Sequence, residues 1–147
     1  MHRLNFHSRR AMRITTVAAV TFLWGCAAHA ADLTVEILGT RSQQGSVAAA
    51  LFAGSAGWLK PDQAVQGQFV PAAGKVVVLF RGLAPGRYAV SAYHDENNNA
   101  KMDMNAASLP IEPYGFSRNA QGHMGPPAYD DAALDLQSDA TIQIHLR

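Results

Sequence analysis

The sequence has 147 residues, with 12 Lys and Arg, 11 Asp and Glu and one cysteine. Four of the basic residues, Arg3, Arg9, Arg10 and Arg13, lie near the start, so the rest of the chain carries 8 basic against 11 acidic side chains, a net charge of −3. A mildly acidic chain without a Lys/Arg cluster excludes nucleic acid as the expected partner, and a polybasic membrane contact with it.

Residues 1–30 read as a signal peptide. The arginines form a positive n-region, and Ile14 to Trp24 is an apolar run too short to span a bilayer. Ala28-His29-Ala30 places small residues at −3 and −1 of a cleavage site, so the mature chain is expected to start at Ala31. The protein is therefore expected in the periplasm or cell envelope and not as an integral membrane protein. Two other readings use the same segment. Leu23-Trp24-Gly25-Cys26 loosely matches a lipobox, which would make a lipoprotein acylated on Cys26, although the bulky Trp24 fits that peptidase badly. Ser8-Arg9-Arg10-Ala11-Met12 has the paired arginines of a twin-arginine signal. Loss of Cys26 would leave residues 31–147, taken as one domain, with no disulfide, thiolate nucleophile or cysteine zinc site.

Strand patterns dominate that domain. Leu33 to Ile37 alternates apolar and polar residues, as a half-buried strand does. Ser46 to Phe52 is apolar on both faces. Lys75 to Phe80 is β-branched and apolar on both faces, which predicts a central strand. Leu83-Ala84-Pro85-Gly86 sets Pro and Gly at the centre of an expected type II turn. Arg87 to His94 then alternates, with Tyr88, Val90, Ala92 and His94 on one face and Ala89, Ser91 and Tyr93 on the other. Thr141 to Leu146 alternates again. Short helical turns fit Ser55 to Leu59 and Asp130 to Leu134. The whole predicts an all-β, Ig-like or prealbumin-like β-sandwich of about seven strands. Residues 95–132 are rich in Asn, Gly and Pro, lack periodicity, and make a long loop of the kind that carries function.

Within that loop, Asp95, Asn97, Asn99, the Lys101 carbonyl and Asp103 have the spacing of calcium ligands. Ala100 takes the place where glycine is usual, and Ala106 the place of the bidentate glutamate, so any site is expected to be weak. The competing reading is an Asx-rich loop bonded to its own backbone. His94 ends an apolar strand face beside Asp95. It is either a general base or ligand, paired with His123, or a cap bonded to loop backbone. Tyr114, Phe116, Arg118 and Asn119 interleave rings with hydrogen-bonding groups, suited to a sugar or peptide surface or to stapling the loop. No nucleophile elbow or singled-out carboxylate pair is present.

Gly86-Arg87-Tyr88-Ala89-Val90, Tyr93-His94-Asp95-Glu96-Asn97, Lys101-Met102-Asp103, Tyr114 to Ala120 and Gly125-Pro126-Pro127, in that order, resemble a family of exported bacterial proteins known only as a domain of unknown function. The resemblance runs from about Leu33 to Leu146. In that family the acidic loop usually reads H-D-x-N-x-N-G-x-x-D, and here Ala100 replaces the glycine. The resemblance implies no activity. The run Leu83 to Tyr88 is also similar to prealbumin-like and carboxypeptidase-regulatory sandwiches, which bears on fold alone. The expected function is a non-catalytic envelope module that binds or scaffolds a glycan, peptide or protein. Its candidate ligand residues are His94, Tyr114, Phe116, Arg118, Asn119 and His123. The alternative is a hydrolase using His94 with a carboxylate from the 95–132 loop.

Overall fold

A computed structural model describes residues 29–147. The readings that rest on residues 1–28, including Cys26, lie outside the described residues. Eight strands form two packed sheets, a β-sandwich as the alternation requires: β1 (Ala31–Leu38), β2 (Ser46–Phe52), β3 (Gln66–Pro71), β4 (Lys75–Leu83), β5 (Gly86–Asp95), β6 (Tyr114–Phe116), β7 (Leu134–Leu136) and β8 (Ala140–His145). The smaller sheet has the order β4-β1-β8, and the larger β3-β2-β5-β6 with β7 also paired to β5. β1 and β8 run parallel; the other named pairs are antiparallel. The one α-helix among the described residues, α1 (Tyr129–Ala132), and a 3-10 turn at Ser55–Gly57 fall where helical turns fit the sequence.

The core lies between the sheets. Leu33, Val35 and Ile37 of β1, Val76, Val78 and Phe80 of β4, and Ile144 of β8 meet Val47, Leu51 and Val90 from the larger sheet. Fully burying one such side chain is worth about 1.5–3 kcal/mol. A second apolar cluster covers part of the outer face of the larger sheet. There Trp58 packs against Phe52, Phe116 and Tyr129 at ring-centroid distances of 5.3, 5.8 and 5.9 Å. Its indole N–H donates to the Pro127 carbonyl at 2.9 Å, tying the 55–64 segment to the long loop.

Two expectations are corrected. β4 is not central: it is the edge of its sheet, and Val77 is half exposed. An apolar edge strand invites unwanted pairing. Here the side-chain amides of Gln66 and Gln68 on β3 donate to the Arg81 and Leu79 carbonyls, so side chains occupy acceptors that a neighbouring strand would otherwise use. Nor is Leu83 to Gly86 a type II turn, because the positive φ belongs to Gly82 and not to Gly86. β4 and β5 lie in different sheets, so this link crosses between sheets and is not a hairpin. The Tyr88 hydroxyl donates to the Ala84 carbonyl at 2.8 Å and fixes that crossover.

Candidate functional site

His94 is fully buried at the end of β5. Its Nδ1 accepts from the Arg41 backbone N–H at 3.2 Å, and its Nε2 lies 2.7 Å from the Gln44 carbonyl. A carbonyl can only accept, so Nε2 carries the proton and Nδ1 the lone pair. Both ring nitrogens are thus committed to the β1–β2 connection. Gly45 allows that connection to pass close over β5: its φ is +74°, and a Cβ there would collide with the Asp95 carbonyl.

The acidic loop is drawn together by its own side chains. Each Asp95 oxygen accepts a backbone amide, from Asn99 at 3.1 Å and from Ala100 at 2.8 Å. Asn97 and Asn99 accept from the amides two residues on, the Asx-turn pattern. Their side-chain NH2 groups both donate to Asp103, at 2.7 and 2.9 Å. Asp95, Asn97, Asn99 and Asp103 therefore come together, joined by hydrogen bonds among themselves. Lys101 takes part through its backbone N–H, and its side chain is exposed. Ala100 sits at φ +60°, the left-handed conformation that glycine normally takes.

Sequence reasoning missed a fifth member, Glu112. It is buried, and its two carboxylate oxygens accept the backbone amides of Glu96 and Asp103, both at 3.0 Å. Glu112 thereby clasps both ends of the loop. A lone glutamate nine residues beyond Asp103 gives no local pattern from which that role can be read. Among the described residues no group of three or more His, Cys, Asp or Glu side chains is arranged to hold a metal ion.

The Tyr114 to Asn119 run divides by side-chain direction. Gly115 lies against β8, and a Cβ there would come within 2.8 Å of both the His145 carbonyl and Ile144 Cγ2. Ser117 is fully buried: its hydroxyl accepts from the Val90 N–H at 2.9 Å and donates to the Ala132 carbonyl at 2.6 Å. Arg118 donates to the Ala133 carbonyl, and the Asn119 side-chain oxygen accepts from the His145 N–H. Phe116 is buried under Trp58. Arg118 and Asn119 are exposed but tied to backbone, whereas the Tyr114 ring, 36% exposed, stands edge-on to Phe116 at 5.8 Å. A cleft of about 180 Å³ runs beside it, lined by Tyr114, Phe116, Gln121, Pro127 and Arg147 among others. Arg118, Asn119 and His123 are not among its walls, and His123 is exposed on the loop above.

The strand register exposes a feature that the sequence hides. Phe69 of β3 and Tyr93 of β5 both stand opposite Ala48 of β2, and Tyr93 stands opposite Tyr114 of β6. Cross-strand partners share a face. Phe69, Tyr93 and Tyr114 thus form one row across the larger sheet, on the half of its outer face that the Trp58 cluster leaves uncovered. Phe69 is 57% exposed. Asp95, two residues beyond Tyr93, continues the same face toward the acidic loop. Burial, and then the charges of Asp95, Glu112 and Asp103, push the Tyr93 phenol up to about 12.

The family model described as "Uncharacterized protein conserved in bacteria (DUF2141)" matches residues 35–144. No curated protein and no solved structure matches the chain.

Proposed function

The chain belongs to that uncharacterized bacterial family, which supplies no activity, and we propose that it is a non-catalytic, exported binding module of the cell envelope. Its ligand face is the uncovered outer face of the larger sheet. One observation carries this reading: Phe69, Tyr93 and Tyr114 stand in register on one face of the sheet, Phe69 and Tyr114 exposed and Tyr93 half-buried between them. Exposed rings in a row stack well on the apolar faces of sugars or on extended peptides, at small conformational cost. Tyr114 is braced by Phe116, which is braced by Trp58, so that ring is preorganised.

The hydrolase reading has less support. A general base needs a free lone pair and access to substrate. His94 is fully buried with both ring nitrogens bonded to backbone. The acidic loop favours a self-latched Asx turn over a calcium cage, because the Asp103 oxygens that an ion would need already accept two side-chain amides. The test is amide NMR of the protein titrated with soluble envelope fragments, glycan strands bearing stem peptides. Shifts are expected to gather on Ala48, Phe69, Tyr93 and Tyr114. Shifts confined to other surfaces, or cleavage of the fragments, would overturn the proposal.

A further inference from the structure

We propose that the occupant of this face is a basic peptide segment, an extended chain with an apolar residue near one end and Lys or Arg near the other. The inference rests on the reading of the aromatic row as the binding face and names the chemistry of its ligand. The row is asymmetric. Its β3 end is a lone hydrocarbon ring, Phe69. Its other end, Tyr93 and Tyr114, lies beside the acidic loop. Three carboxylates there, the buried Asp95 and Glu112 and the half-buried Asp103, form no ion pair with a basic side chain among the described residues, and they act on the face through their field. Arg41 is engaged by Glu96 and by the Ile111 carbonyl. The three are held instead by hydrogen bonds from backbone and side-chain amides, which carry no opposing unit charge. All three charges are felt at the Tyr93 hydroxyl. A negative field at the Tyr93 ring, with the Tyr114 ring next to it, is complementary to an ammonium or guanidinium group.

Length selects a peptide over a small free amine. Three strand intervals of ~4.8 Å make the row ~14 Å across. An extended chain advances ~3.3 Å per residue, so about four residues reach along the row from Phe69 to Tyr114. A neutral glycan would stack on the rings but leave the negative flank unused.

The test compares three probes on the purified protein: a fluorescent peptide Phe-Ser-Gly-Lys-Lys, its counterpart Phe-Ser-Gly-Glu-Glu, and a neutral tetramer of N-acetylglucosamine. The lysine peptide should bind at least ~10-fold tighter than the glutamate peptide and weaken as salt is raised. Tyr114→Ala should weaken it ~5-fold. Phe69→Ser and Asp103→Asn should each weaken it too, and circular dichroism should confirm that every variant is folded. Equal binding of the two peptides, or no binding of either, overturns the inference. Tetramer binding that depends on Tyr114, without preference for the lysine peptide, overturns it while leaving the aromatic row as the binding face. Lysine-peptide binding indifferent to both Tyr114→Ala and Phe69→Ser places the ligand elsewhere and removes both readings.

Discussion

Replacing Ala100 by glycine should stabilise the acidic loop, and the gain follows from one dihedral angle. Ala100 holds φ at +60°, where its Cβ crowds the following carbonyl at a cost of roughly 1–2 kcal/mol. Glycine removes that cost but loses about 0.4–1 kcal/mol through its freer unfolded chain. The net gain is ~0.5–1 kcal/mol. The amide of residue 100 keeps its bond to Asp95, because glycine retains the N–H. In a domain of this size the gain corresponds to a rise in Tm of about 2–5 °C, read by circular dichroism. The loop also opens by local fluctuation, so the same gain should slow hydrogen exchange of the Asn99 and residue-100 amides ~2–5-fold. Ala100→Val should move both readouts the other way, since a β-branched residue tolerates positive φ worse than alanine. A Tm that falls in Ala100→Gly, or exchange that does not slow, would refute the argument that backbone strain is stored at this turn.

Ser117→Ala should lower stability by about 1–3 kcal/mol, measured by urea unfolding, because it strands the buried Val90 N–H and Ala132 carbonyl; a loss below ~0.5 kcal/mol would contradict that. The Tyr93 phenol, pushed up to about 12, keeps its proton longer in the folded state than in the unfolded chain. Its stability contribution is therefore fully present below pH 10 and is lost as pH rises toward 12, a decline that Tyr93→Phe should remove. A wild-type minus Tyr93→Phe difference titration of tyrosinate absorbance centred near 10 would refute the shift. Calcium at ~10 mM should move Tm by less than about one degree, because the Asp95, Asp103 and Glu112 oxygens already accept amides. A rise of several degrees that Asp95→Ala abolishes would mean that an ion displaces those bonds.

The strands legible in the sequence were those whose pattern is local. β1, β5 and β8 alternate, β2 is apolar on both faces, and all four lie where alternation or apolarity places them. β4 carries the same apolar signal but lies at an edge, since that signal reports burial and not rank within a sheet. Its protection comes from two glutamines on β3, a contact made by the sandwich and invisible along the chain. The three-residue strands β6 and β7 are too short for any period. The acidic loop was legible as a loop because Asx residues at alternate positions bond their own backbone. Its clasp by Glu112, and the meeting of Phe69 with Tyr93 and Tyr114, depend on strand register and long-range folding, which local spacing does not encode.

The division of labour within Tyr114 to Asn119 explains how one motif can be both architecture and part of the proposed binding face. Its backbone joins the two sheets: the N–H and carbonyl of Tyr114 exchange hydrogen bonds with Arg147, just beyond β8. That close approach is possible because Gly115 has no Cβ to meet Ile144 and His145. Ser117 then ties β5 to the segment around α1, and Asn119 holds the end of β8. Every inward group is therefore committed to holding the sandwich closed at this edge. The same closure fixes the direction of the one side chain left over. A β6 locked to both β5 and β8 cannot rotate, so the Tyr114 ring must stand on the outer face beside Tyr93. The stability of the motif and the geometry of the aromatic row thus have a single cause, and the proposed binding face would need no movement of β6 to receive a ligand.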